Sequence, residues 1–246
     1  MNGQNRAMQG TNDKGADDKG ADDTGLTRRG FLGVASALGL GGLLAGCGGG
    51  GGSSTTSAGG AYQPDLSRFT PNYGANITLY HWPALPVRVY FANDLTVTPQ
   101  GGSPTRVNDL ILTGFGRWPA ATGGVVGFTQ VTDPNQAQIT VSTVTIPDPT
   151  GLSETGKTSV TPGAGNVLQS ATTQIYVWPD ITVPELTQGL LATSAHEFGH
   201  ALGIGGHSLD PGDVMYVSHY PNADVPLSAR DLNTIKTIYY FLFPNS

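Results

Sequence analysis

A single cysteine, Cys47, stands among 246 residues, so no intrachain disulfide can form and no zinc site can be built from thiolates. Charge is sparse as well: only 12% of residues are charged, 12 basic against 18 acidic, for a net −6. Beyond the N-terminal region no Lys/Arg cluster is large enough to follow a phosphate backbone, which argues against nucleic acid as a partner. The apolar run at residues 31–46 is Gly-rich and short of the ~20 residues that a membrane-spanning helix needs. No histidine lies between His81 and His196, and no glutamate follows Glu197. Gly (36) and Pro (17) are plentiful, which marks a loop-rich chain of one domain or two.

In chain order, residues 1–26 are polar and carry a near-repeat, Lys14-Gly-Ala-Asp-Asp followed by Lys19-Gly-Ala-Asp-Asp. Nothing there can form a core, and disorder is expected. Arg28-Arg29 then lead into the apolar run, which ends at Leu44-Ala45-Gly46-Cys47. A charged flank, a short apolar stretch and small residues at its end read as an export signal over residues 1–46. An uncleaved membrane anchor and a plain secretory signal are the alternatives. Residues 47–60 continue as a Gly/Ser/Thr tether. From Ala61 onward the mixture of apolar, aromatic and polar residues reads as one folded domain, 61–246.

Within that domain, residues 86–91 alternate with Val87, Val89 and Phe91 on one face, a strand pattern. Val107, Leu110, Ile111, Phe115 and Trp118 recur at helical spacing, with Gly114 and Gly116 weakening the helix and Pro119 stopping it. Residues 125–131, 138–145 and 173–178 are further strands, rich in Val, Ile and Thr. Residues 147–165 read as loop, with a short strand near 157–161. Thr182-Val183-Pro184-Glu185 is a capping box that opens a helix ending near Gly203. Ser228-Ala229-Arg230-Asp231 caps a last helix, whose apolar stripe is expected at Leu232, Ile235, Tyr239 and Leu242.

The chemistry is concentrated at His196-Glu197-Phe198-Gly199-His200. Two histidines four apart share one helix face, so both imidazoles can reach a single Zn²⁺ at about 2.0–2.1 Å. Glu197 stands beside the first ligand, able to reach a water at the metal without being a ligand. This five-residue pattern arises by chance in roughly one chain in a thousand of this composition, so a metal site is the reading preferred over a buried helix with two satisfied histidines.

These residues, followed by Ala201-Leu202-Gly203, His207-Ser208 and Asp213-Val214-Met215-Tyr216, resemble a metzincin zinc metalloprotease of the bacterial matrixin type. The resemblance implies an α+β zincin domain: a twisted, mostly parallel sheet, an active-site helix, and a C-terminal helix after a Met-turn. It implies that His196, His200 and His207 ligate one catalytic Zn²⁺, that Glu197 is general base and proton shuttle, and that Met215 forms an apolar floor beneath the metal. Gly203 would let the chain leave the helix through positive φ. Residues 27–47 likewise resemble a twin-arginine signal ending in a bacterial lipoprotein box. That likeness implies lipidation of Cys47 and a membrane contact through this anchor, in the cell envelope, or else secretion.

Two departures from the family pattern stand out. The third histidine comes one residue late, at His207, the extra residue falling among Ile204-Gly205-Gly206; Asp210 and His219 stay open as alternative third ligands. The histidines of a second, structural zinc are absent, so one zinc is expected; Ca²⁺ has no support in the sequence. Tyr216 and His81 are read as packing residues. A zinc peptidase whose third ligand is a later Glu is excluded, because no Glu follows Glu197. The expected function is zinc-dependent hydrolysis of peptide bonds by a monomer, the substrate an extended peptide lying along a strand edge near residues 157–161. The alternative is a non-catalytic, zinc-stabilised binding protein anchored at the surface, although a purely structural site is normally closed by four protein ligands.

Overall fold

The alternation of Val87, Val89 and Phe91 does build a strand, and the sheet grows outward from it on both sides. The structure, a computed structural model, describes residue 73 and residues 77–148, 150, 154–219 and 221–243. The expected signal (1–46), the tether (47–60) and Cys47 lie outside the described residues.

The elements run β1 (Thr78–Leu79), β2 (Val87–Phe91), β3 (Thr96–Val97), β4 (Thr105–Arg106), α1 (Val107–Phe115), α2 (Arg117–Ala121) and β5 (Phe128–Gln130). They continue as β6 (Ile139–Thr145), β7 (Gly156–Pro162), β8 (Leu168–Val177), α3 (Leu190–Ala201), β9 (Ile204–Gly205) and α4 (Ala229–Ile238). The main sheet has the order β5-β2-β6-β8-β7. Every neighbour pair in it is parallel except β7 with β8. This is the α+β, mostly parallel architecture that the sequence pointed to.

Helices α1 and α3 pack on the sheet. Val87, Val89, Ile139, Val141 and Ile175 are fully buried, as are Ile111, Phe115 and Phe198. The rings of Phe115 and Phe198 stack with centroids 4.2 Å apart and planes 9° from parallel. Two indoles tie α3 in place: Trp118 Nε1 donates to the Ala195 carbonyl at 2.9 Å, and Trp82 Nε1 to that of Ala201 at 2.8 Å. Gly114, expected to weaken α1, sits where α3 crosses it; a Cβ there would lie 2.6 Å from Ser194 Cβ. The small residue therefore sets the close approach of the two helices.

Several boundaries differ from expectation. Pro119 does not stop the helical run, because it falls in the first turn of α2, where a missing N–H leaves no bond unmade. The strand expected at 125–131 contracts to β5. Within 147–165 the short strand expected near 157–161 forms one residue longer at each end: Gly156–Pro162 is a seven-residue edge strand paired with β8, its register shifting between Thr161 and Pro162. β8 itself begins at Leu168 rather than Thr173. β7 carries Lys157, Ser159 and Thr161 on its outward positions, so it is stabilised by pairing with β8 more than by an apolar face of its own, whereas β8 buries Leu168, Ala171, Ile175 and Val177.

The capping box at Thr182 forms: the Glu185 carboxylate accepts from Thr182 N at 2.8 Å, and Glu185 N donates to Thr182 Oγ1 at 3.5 Å. One π-helical turn, Glu185–Gly189, then precedes α3. On α4 the buried positions are Asp231, Thr234, Thr237, Ile235 and Ile238, followed by Tyr239; Leu232 is only half-buried and Leu242 is exposed. The expected apolar stripe is thus shifted around the helix, because Asp231 turns inward to bond backbone amides beneath it.

Candidate metal centre

The last turns of α3 bring His196 and His200 onto one face, with Nε2 atoms 3.1 Å apart. Each ring is oriented from behind: His196 Nδ1 lies 2.8 Å from the Val214 carbonyl, and His200 Nδ1 lies 2.7 Å from that of Ile204. A carbonyl can only accept, so each Nδ1 carries the proton and each Nε2 presents a lone pair. Two lone pairs facing each other without a proton between them favour a cation in the gap.

After α3 the chain must reverse to deliver a third ligand. Gly203 does this at φ 117°, and a side chain there would run into the Tyr80 carbonyl. The following Ile204–Gly205 pairs antiparallel with β1, and Gly206 at φ 124° turns the chain again before His207. The extra residue ahead of His207 is accommodated in this way, by a short ladder and a second left-handed glycine.

The His207 ring centroid lies 5.2 Å from that of His196 and 4.9 Å from that of His200. One nitrogen from each of the three rings falls within 4.8 Å of the other two, the only such group of three among the described residues. Two zinc bonds of about 2.05 Å at a tetrahedral angle separate their donors by about 3.3 Å, so the His196–His200 spacing suits that ion. Burial favours the neutral imidazoles that a metal requires. It pushes His200 down to about 4, takes His196 well below its ordinary value with help from the nearby His200, and lowers the more exposed His207.

Glu197 is 5% exposed, and its Oε2 has no hydrogen-bond partner among the described residues. Burial pushes its carboxyl up to about 8; the Thr158 hydroxyl pulls the other way, and the charge of Glu154 adds to the rise. Strand β7 passes directly over it. A Cβ at Gly156 would sit 2.7 Å from Glu197 Cγ and 3.0 Å from Oε1, and Thr158 Oγ1 donates to the Glu197 carbonyl at 3.1 Å. A buried carboxylate oxygen without a partner, on the residue next to the first of three convergent imidazoles, fits a site that takes a cation, since a nearby positive charge stabilises the ionised acid. The donor set, three nitrogens and no thiolate, fits zinc with an open position.

Met215 is fully buried against Gly199 of α3. Its turn is held from two directions. Ser208 N donates to the Met215 carbonyl at 2.8 Å, and the Asp231 carboxylate accepts from Val214 N at 2.9 Å and Met215 N at 3.3 Å. Asp210 and His219, the other candidate third ligands, are placed elsewhere. Asp210 pairs with Arg230 at 2.5 Å, and His219 Nε2 lies 3.2 Å from the Val214 carbonyl. Tyr216 is half-buried with its ring 5.7 Å from His219. His81 is buried, with its backbone bonded to residues 166 and 168. Sequence reasoning missed the two carbonyls behind the histidines, and also Gly156, Asp213 and Arg230. Asp231 carried a signal as the closing residue of a capping box, and Asp213 stood in the motif after His207 without a role of its own.

A family model of the matrixins matches residues 93–240. Curated relatives share a shorter stretch: the interstitial collagenase of Equus caballus is 48% identical over 50 residues, 20% of this chain and 10% of that protein. The interstitial collagenase of Bos taurus matches at 48% and that of Sus scrofa at 44%, each over 50 residues. The chain thus spans about a tenth of the length of these relatives. With the family match covering well over half of its residues, this chain belongs to the matrixin family of zinc-dependent metallopeptidases.

Proposed function

We propose that this chain is a zinc-dependent endopeptidase, with His196, His200 and His207 holding one zinc and Glu197 as general base. One observation carries the reading: three imidazoles converge on one another, and the residue next to the first of them holds a buried carboxylate whose Oε2 has no partner among the described residues. Zinc held there supplies Lewis acidity, lowering the pKa of water toward neutrality and polarising the scissile carbonyl. Glu197 accepts the proton of the attacking water and delivers it to the leaving amine, a role typically worth ~10²–10⁴-fold in rate. Met215 closes the floor of the site with apolar packing. The substrate is an extended peptide that adds to the outer edge of β7, which among the described residues pairs only with β8 and so has backbone groups to offer.

The domain layout follows the same reading: an export signal in residues 1–46, a lipid-bearing Cys47 with a tether to residue 60, and a peptidase domain from 61 to 246. The substrates are then extracellular or envelope proteins. Mass spectrometry of the peptide containing Cys47 from an expressing bacterium tests the anchor; an unmodified thiol, or a chain still carrying residues 1–46, removes it.

The activity is tested with an unfolded protein such as casein. The zinc-loaded full chain is expected to cleave it, a chelator to stop cleavage, and Glu197→Gln to keep the zinc while losing hydrolysis. A Glu197→Gln chain as active as the parent removes the base assignment. A parent chain that holds zinc and cuts neither casein nor a peptide library favours the binding-protein alternative.

A further inference from the structure

His196 and His200 are each fixed by a bond from the ring to a backbone carbonyl, on a helix. His207 is exposed and stands on a loop immediately after two glycines. The ladder with β1 ends at Gly205, so the placement of His207 also depends on the backbone on its other side, residues 208–215. That segment looks loosely held at first: Leu209 is 89% exposed, and Asp210, Pro211 and Gly212 are exposed too. Yet Asp213 in its middle is completely buried. A carboxylate buried in a surface loop is unfavourable unless it is paired and hydrogen-bonded.

Its partner is Arg230, in the first turn of α4. Arg230 Nε meets Asp213 Oδ2 at 2.9 Å and Nη2 meets Oδ1 at 3.0 Å, a two-pronged grip whose geometry lysine cannot reproduce. The same Nη2 reaches Asp210 Oδ2 at 2.5 Å. The Ser208 hydroxyl donates to Asp213 and accepts from Asp210 N at 3.1 Å. Ser208 is the residue next to His207, and its N–H bonds the Met215 carbonyl. One guanidinium thus gathers both carboxylates of the loop and, through Ser208, the backbone that carries the third imidazole. Its neighbour Asp231 grips the Val214 and Met215 amides from the same helical turn.

We infer that Arg230 is the positioning residue for His207: its grip on Asp213 and Asp210 sets the third ligand and keeps the Asp210 carboxylate away from the metal. The inference rests on the metal-site reading above. It also explains how an exposed loop histidine can stay in register with two helical ones.

The test uses the full chain and two metals. Zinc affinity is measured by competition with a chromogenic chelator, and ligand geometry by the visible bands of Co²⁺ in the same site. Arg230→Gln is expected to weaken zinc binding by ~10–100-fold, the usual effect of losing an outer-shell partner, and to move the Co²⁺ bands toward those of His207→Ala. Arg230→Lys should recover part of both. Arg106→Gln, which breaks an exposed ion pair with Asp94, should change neither. A merely structural role would lower the unfolding midpoint of Arg230→Gln and leave zinc affinity and Co²⁺ bands at the parent values, and that result overturns the inference. If Arg230→Gln does not fold, Ser208→Ala removes only one hydroxyl; a smaller change in the same direction supports the inference, and unchanged Co²⁺ bands overturn it. A parent chain that takes up no zinc defeats the metal-site reading itself, a different outcome from a parent that binds zinc and an Arg230 variant that binds it equally.

Discussion

The candidate centre has two halves built on different principles. On one side, His196, Glu197 and His200 ride on α3, whose backbone is rigid, whose Phe198 is locked in an aromatic stack, and whose rings are bonded from behind. On the other, residues 206–215 follow no regular element, and their order comes from side chains: a guanidinium, three carboxylates and a serine. The helical half owes its geometry to apolar burial and the 3.6-residue period. The loop half owes its geometry to paired charges. The two halves should consequently fail in different ways, the first by losing the fold and the second by losing the metal's third contact.

The largest effect belongs to the helical half. His200→Ala removes a proposed ligand and also leaves the Ile204 carbonyl without its donor. Hydrolysis of casein is expected to drop at least ~10³-fold with zinc largely lost; a variant retaining a tenth of parental activity contradicts the ligand assignment. Next comes Phe198→Ala, which empties the centre of the stack with Phe115 and is expected to destabilise the chain by about 3–5 kcal/mol in denaturant titration. A loss under 1 kcal/mol would mean that α3 is not held by its apolar face. In the loop half, Gly206→Ala forces a Cβ onto a backbone at φ 124° and should remove about 1–2 kcal/mol. Equal stability of parent and variant would show that the turn into His207 relaxes freely.

The same division explains what could be read from the sequence. Periodicity revealed α3 and its two histidines, because a helix converts spacing into direction. Alternation revealed β2, and the Val, Ile and Thr content revealed β6; the apolar faces of both are buried. The edge strand β7 was legible only as a short strand near 157–161, since Lys157, Ser159 and Thr161 carry no apolar face and the pairing that extends it to Gly156 and Pro162 comes from β8. The stripe on α4 was misplaced because an inward-facing Asp231 contradicts the rule that charged side chains face water. Arg230 and Asp213 were invisible as a pair: they lie 17 residues apart on a loop and a helix, and no local pattern links a bidentate contact at that separation.

The smallest expected effect separates the loop half from the sheet without a mutation. Burial alone would raise the Asp213 carboxyl, but the Arg230 guanidinium and the Ser208 and Ser228 hydroxyls more than offset this and hold it below its ordinary 3.8. A carboxyl with a depressed native pKa contributes its full stability above the unfolded value, and that contribution drains as pH falls through the native value. Acidifying the metal-free chain from pH 5 toward pH 3 should therefore loosen residues 208–215 ahead of the sheet; α3 is no neutral reference, because the same acid charges the buried imidazole of His200, whose pKa burial holds at about 4. Amide hydrogen exchange reads this directly: the Ser208 amide, bonded to the Met215 carbonyl, should speed up before those of β6, which carries no titrating side chain. Using metal-free chain matters, because acid also protonates the histidines and would expel zinc for an unrelated reason. If both sets of amides lost protection together, the loop would not be an independently latched unit, and the contrast between the two halves would reduce to one cooperative fold.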